Sequence, residues 1–228
     1  MRIIGTSHIA KESIQVIRSE INKLKPDFIA VELDAQRFAS LFGKRRKPSL
    51  ADIKHLGFIG FIFNLIGGFM QRKLGERVGL APGADMRTAI IAAKKANIQV
   101  VLIDQPIQQT LTNLSQMKFS ERAKFILYLL AAIILPVSIL PASAGGEKID
   151  LTKVPEEKLI ERLSLDLKKK FPTVYSVLVE DRNKYMSNQL IKLQQLHPDA
   201  EILVVVGAGH VKGITAFLGR KDFFKGKL

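Results

Sequence analysis

The sequence predicts an α/β domain: a mainly parallel central sheet flanked by helices. Three observations predict it. Four short apolar runs, within "MRIIGT", "PDFIAVELD", "IQVVLIDQPI" and "AEILVVVGAG", lack the polar alternation of a half-solvated strand and read as strands covered on both faces. Segments with helical apolar spacing separate them, the alternation that produces parallel strands joined by right-handed crossovers. Two of the runs also end alike, in Gly-x-x-His, at Gly5 to His8 and at Gly207 to His210.

Taken in order, "MRIIGT" is a short buried strand. The next segment sets Ile14, Ile17, Ile21 and Leu24 at helical spacing, and Pro26 ends it. "PDFIAVELD" is the second strand, apolar from Phe28 to Leu33 apart from Glu32. Residues 44–79 change character: a basic cluster "GKRRKPS", an apolar segment Leu56 to Met70 and "QRKLGERVG" predict a helical insertion. "DMRTAIIAAKKAN" reads as an alanine-rich helix with Asp85 near its start, and the third strand ends at Asp104. A second helical insertion over 111–150 holds the longer apolar segment, Phe125 to Pro141, and closes with "LPASAGG". From Pro155 to His197 the pattern is mostly helical, and a last strand, a glycine-rich turn and a helix follow. The expected organisation is one domain over 1–228 carrying both insertions.

Composition narrows the chemistry. With no cysteine among 228 residues, disulfides and thiolate metal sites are excluded, leaving His, Asp and Glu as strong metal ligands. A formal charge of +14 and a pI of about 10.0 favour anionic partners. Nucleic acid is not expected, because "GKRRK" and "LKKK" lack interleaved aromatics. The first strand signal begins at Arg2, so no secretory leader is expected. Both apolar segments fall short of the roughly 20 residues of a membrane span. The first contains Asn64 and paired glycines and the second Pro136, which predicts buried or interfacial helices. A self-associating or membrane-facing lobe would give a homodimer, or contact with an anionic membrane surface through Lys44 to Lys47 and Lys168 to Lys170.

In parallel sheets the ligand crevice lies beyond the carboxyl ends of the strands. That rule brings His8, Glu32, Asp104 and His210 to a common edge, each at or just past the end of its strand. Each Gly-x-x-His sets an imidazole at a helix start just beyond a tight turn, where the scaffold aims it. Two such histidines suit metal ligation or base catalysis better than one. Glu32 ends an apolar strand and needs a cation or hydrogen bonds, with Arg37 the nearest expected partner. Asp85 is either a helix-dipole acid or a site acid, and Arg87 sits one turn into the same helix. Glu180, Asp181 and Arg182 form either a solvated face or a site motif. His55 and His197 lack the turn and read as incidental. A metal shared by the histidines and a carboxylate would have hard to borderline ligands, suiting Mn²⁺, Co²⁺, Fe²⁺ or Zn²⁺, with hydrolysis the natural reaction class.

The segments "GTSHIAKESIQVI", "PDFIAVELDAQRF", "PGADMRTAI", "VVLIDQPIQQTL", "EDRNKYMSNQL" and "VVVGAGHVKGI", in that order and across nearly the whole chain, resemble the successive motifs of the TraB/PrgY family. That family is grouped with the TIKI proteins and more distantly with erythromycin-esterase-like and ChaN-like domains. The resemblance implies a central sheet with paired Gly-x-x-His motifs at the active site, metal-dependent peptide hydrolysis in the TIKI branch and pheromone inhibition in the PrgY branch. Carried over by position, His8 and His210 are metal ligands, with Mn²⁺ or Co²⁺ favoured and Zn²⁺ an alternative. Glu32 is third ligand or base, and Arg37 and Arg87 hold a substrate carboxylate or an oxyanion. Arg87 and the Glu180 to Arg182 triplet occupy the remaining polar motif positions. Asp85 stands where the family often has Glu, and Gln105 where it often has Arg, which removes a positive charge from the pocket rim. The expected function is a metal-dependent, peptidase-like hydrolase; the alternative is a non-catalytic peptide- or pheromone-binding module at a membrane surface. Many prokaryotic members continue into membrane helices, so a cytoplasmic or membrane-associated portion of a longer protein is expected.

Overall fold

The computed structural model describes residues 1–6, 11–43, 83–134 and 157–219. Four parallel strands form one sheet: β1 (Arg2–Thr6), β2 (Phe28–Val31), β3 (Gln99–Leu102) and β4 (Ile202–Gly207), in the order β1-β4-β2-β3. The predicted α/β class is the observed one. β4 lies between β1 and β2, hydrogen-bonded to both, and all six of its residues are buried.

The strand side chains divide between two cores with the period of two that a pleated strand imposes. On one face Ile29, Val31, Leu203 and Val205 pack against Ile17 and Ile21 of α1 (Lys11–Leu24) and Met86, Ala89, Ile90 and Ala93 of α3 (Ala84–Lys95). On the other, Phe28, Ala30, Ile202, Val204 and Val206 meet Met186, Leu190 and Leu193 of α8 (Asp181–Leu196) and Ile214 of α9 (Ala208–Leu218). Double coverage is why these strands are apolar without interruption.

Between β2 and α3 runs α2 (Ala35–Phe42), capped by Asp34, whose carboxylate accepts from the Arg37 N–H at 2.8 Å. After β3 come α4 (Ile107–Ser115) and α5 (Phe119–Ile134). Then α6 (Glu157–Lys170) and α7 (Pro172–Tyr175) lead into a π-helical turn, Ser176–Glu180, that runs directly into α8. A satellite core of Leu111, Leu114, Met117, Phe171, Val174 and Val177 ties α4 to α7 and the π turn, with Phe171 edge-on to Phe125 of α5. The apolar segment predicted from Phe125 is thus helical as far as Ile134. Its remainder, the rest of the stretch to 150, and the whole insertion at 44–79 lie outside the described residues. Among the described residues, no helix is long and apolar enough to cross a membrane.

Glycine at position 5 is a packing requirement. A Cβ there would sit 2.8 Å from Val211 Cγ2 and 3.1 Å from the Ala208 backbone, so Gly5 lets the start of α9 lie directly on β1. Gly5 pairs with Val206 and Thr6 with Gly207, so β1 and β4 are adjacent and end at the same sheet edge.

Ile29, with no exposed surface at the centre of the first core, offers a direct test of this packing. Ile29→Ala is expected to lower stability by about 2–5 kcal/mol, read as a lower urea midpoint at unchanged m.

Candidate active site at the carboxyl edge of the sheet

The edge is built from the first polar residue after each apolar run. Glu32 follows β2 and Asp104 follows β3 by two residues, both buried. Asp85, also buried, comes from the first turn of α3, where it accepts a 2.5 Å hydrogen bond from the Thr6 hydroxyl at the end of β1. His210, in the first turn of α9, is buried too.

A single guanidinium joins three of these groups. Arg182, the second residue of α8, donates through Nε to Asp104 Oδ1 at 3.0 Å and through Nη2 to Asp104 Oδ2 at 2.6 Å. The same Nη2 donates to Glu32 Oε1, and Nη1 lies 3.1 Å from His210 Nε2. Burial works against the charge on Arg182, but the attraction of Glu32, together with the hydrogen bond and charge of Asp104, more than offsets it. The pKa of the guanidinium is therefore raised. For a base this sign means the ion pair is intact below the ordinary arginine value and is not lost from the arginine side at any pH where the chain is folded.

Glu32 also accepts from the Gly207 N–H through its other oxygen, at 2.5 Å. His210 is held from behind: its Nδ1 lies 2.7 Å from Asn183 Oδ1. A carbonyl oxygen only accepts, so Nδ1 carries a proton, and Arg182 Nη1, which only donates, meets Nε2 as acceptor. Asn183 reaches this position because residue 213 is glycine; a Cβ there would come within 2.1 Å of Asn183 Nδ2.

Arg37 belongs to the same edge, but not as expected. Its partners are Asp34, through Nε at 2.9 Å, and Asp104, through Nη2; Arg182 meets Glu32 instead. Asp34 explains the difference. It caps α2, accepts from the Ile107 N–H at 3.0 Å, and so fixes the first turn of α2 with Arg37 directed at the end of β3 rather than β2. Gln105 is buried and donates to the Thr110 hydroxyl at 3.0 Å.

Two predicted site residues are not brought to this cluster. Arg87 is exposed, with its guanidinium carbon 5.7 Å from the centre of the Phe42 ring, and Glu180 is exposed and paired with Lys168 at 2.9 Å. Each lies two residues from a side chain that does point inward, Asp85 and Arg182. Two residues along a helix is a rotation of about 200°, so one of each pair faces out. His197 is exposed against the Phe28 ring, as its lack of a tight turn predicted. His8 and His55 lie outside the described residues.

The donor chemistry suits a divalent metal in part. His210 Nε2 and Glu32 Oε1 are 3.4 Å apart, the separation of two ligands on one tetrahedral ion with bonds of about 2.1 Å. Among the described residues no group of three His, Asp or Glu side chains is arranged to hold a metal, and Arg182 lies against both donors. At the described edge Arg37 pairs with Asp34 and Asp104, and Arg182 with Glu32 and Asp104, while the buried Asp85 accepts from the Thr6 hydroxyl.

The contact between Asn183 and residue 213 yields a test. Gly213→Ala is expected to push Asn183 off His210, costing about 1–3 kcal/mol by overpacking. Ring ¹⁵N NMR of His210 in the variant is expected to lose the pure Nδ1–H tautomer.

The chain is 36% identical over 225 residues to an uncharacterized protein of Methanocaldococcus jannaschii, covering 96% of this chain and 53% of that protein. It is 23% identical over 239 residues to the TraB domain-containing proteins of Mus musculus and Homo sapiens, covering 93% of this chain and 61% of each. It therefore spans between half and two thirds of the length of these relatives. A model of the TraB/PrgY/gumN family matches residues 1–221. On this match, the chain belongs to the TraB/PrgY/gumN family.

Proposed function

We propose that the sheet edge is the active site of a metal-dependent, peptidase-like hydrolase, with His210 and Glu32 among the ligands of a divalent cation and His8 the expected third. The observation that carries this reading is the His210 imidazole, held by Asn183 at Nδ1 with its Nε2 3.4 Å from a buried carboxylate. Orientation by a partner on the far ring nitrogen is the arrangement that metal-binding histidines require.

A cation held there supplies Lewis-acid polarisation of a carbonyl and acidification of a water. The chain supplies the rest. The Gly207 N–H fixes one oxygen of Glu32 and leaves the other facing His210, where it can ligate or accept a proton from water. Among the described residues Arg182 and Arg37 bring guanidiniums to the edge, suited to negative charge developing on an amide oxygen or to a substrate carboxylate. Asp34 and Asp85 act at one remove, orienting Arg37 and the end of β1.

Elemental analysis of the purified chain is expected to find Mn, Co or Zn near stoichiometry, and His210→Ala to lose it. Peptide cleavage is expected to fall by about 10²-fold or more in His210→Ala and in Glu32→Gln, while both variants stay folded. Full cleavage by folded His210→Ala would overturn the proposal. Tight peptide binding without turnover under each metal would favour the binding-module reading, for which the internal neutralisation of Glu32 and Asp104 by Arg182 speaks.

We also propose contact with an anionic surface through α5. Phe119 is 80% and Leu127 69% exposed, with exposed Lys118 and Lys124 beside them. Flotation with anionic vesicles, lost in the Phe119→Ser/Leu127→Ser double variant, is the expected result; equal flotation of both proteins would exclude this face.

A further inference from the structure

We infer that the groove between α4 and the π turn is a subsite for a peptide bearing a basic side chain, with Asp181 as the group that selects it. The inference takes the peptide from the peptidase-like reading of the edge and needs no metal.

The groove is built by the π turn. Asn113 and Gln116 at the end of α4 face Pro172, Ser176, Val177 and Asp181 around an open volume of about 540 Å³, a size common among small-ligand sites. The Asp181 N–H donates to the Ser176 carbonyl, the i to i+5 bond that defines a π turn. Residues so bonded lie close to one turn apart, on one side of the helix. In the α register five residues are about 500° of rotation, which would set Ser176 and Asp181 about 140° apart and turn one of them away from α4. Val177 packs with Leu111 and Leu114 of α4 in the satellite core, which fixes the two walls against each other.

The lining is polar and open to a ligand. Among the described residues, the side chains of Asn113, Gln116, Ser176 and Asp181 make no hydrogen bond or ion pair within the chain. Thr173, also in the groove, is engaged: its N–H and its hydroxyl donate to Glu121 at 2.8 and 2.7 Å. Two carboxamides and a hydroxyl offer donors and acceptors together, which matches the alternating groups of a peptide backbone. Asp181 is the one charged residue of this lining. The chain has 35 lysines and arginines, yet among the described residues none pairs with it. Helical backbone runs unbroken from Pro172 to Leu196, so Asp181 stands well inside it, away from the dipole end that would otherwise account for an acid. A carboxylate so placed suits an ammonium or a guanidinium.

Both walls also start from the sheet edge. Asp181 directly precedes Arg182, and α4 leaves the edge at Ile107, whose N–H donates to Asp34. Asn113 lies six residues further on, about 9 Å along the helix axis. Roughly three extended residues of a bound peptide cover that length.

NMR titration of the ¹⁵N-labelled chain in about 0.15 M salt tests the subsite, using capped Ala-Ala-Xaa-Ala-Ala peptides in which Xaa is Lys, norleucine or Glu. The Lys peptide is expected to shift the side-chain amide signals of Asn113 and Gln116. It is expected to bind at least about threefold tighter than the norleucine peptide, as one partly exposed ion pair gives. The net charge of +14 acting alone predicts the reverse, with the Glu peptide tightest. Asp181→Asn is expected to abolish the preference for Lys, and Asp181→Lys to turn it toward Glu. Asp199→Asn, an exposed acid beyond the far end of α8, is expected to leave it unchanged. Equal binding of the Lys and norleucine peptides, a preference that survives Asp181→Asn, or no shift at Asn113 and Gln116 with any peptide overturns the subsite. Cleavage of the same peptides, followed in the same samples, decides the reading of the edge separately: binding that depends on Asp181 without cleavage counts against the hydrolase and supports the subsite.

Discussion

Arg182 and the acids around it are each a condition for the others. A guanidinium this buried is untenable without counter-charge, and Glu32 and Asp104, at the ends of apolar strands, are untenable without a cation. The partners come from sites 150, 78 and 28 residues away, so one side chain fixes the ends of β2 and β3 and the start of α9 against α8. Buried ion pairs of this kind add little net stability compared with apolar packing, yet lose about 3–5 kcal/mol when one partner is removed. Their effect is to specify geometry. The sheet edge can take only the arrangement in which those charges meet.

The two Gly-x-x-His segments are alike in sequence and unlike in use. Gly5 is there because α9 lies on β1 with no room for a side chain. Gly207 contributes its N–H to the Glu32 carboxylate. The repetition reflects two adjacent strands leaving the same edge, with the glycines one register step apart.

Much of this was legible in the sequence. Strands covered on both faces stop being apolar where they reach the crevice, so Glu32 and Asp104 mark their own positions. The helical rotation that separates Asp85 from Arg87 and Glu180 from Arg182 was equally available. Choosing the inward member of each pair, however, required knowing where the helix starts, and the π turn before Arg182 is not visible in composition. Asp34 had a signal, since Asp just ahead of a helix is a favoured N-cap. So had Asn183, a polar residue on the apolar face it shares with Met186, Leu190 and Leu193. The exchange of Arg37 from Glu32 to Asp34 and Asp104 had none, because it depends on how α2 and α4 meet.

The strand order has a consequence for how the chain comes to be folded. β4 is the middle strand on which both β1 and β2 depend for pairing, yet it begins only at residue 202. While the ribosome is still delivering the helices before it, β1 has no neighbour and the β2–β3 pair presents an open apolar edge toward the gap. Such an intermediate has little local structure to gain and exposed backbone that invites pairing with other chains. Closure of the described sheet, of both its cores and of the cluster of Glu32, Asp104 and Arg182 therefore waits on β4.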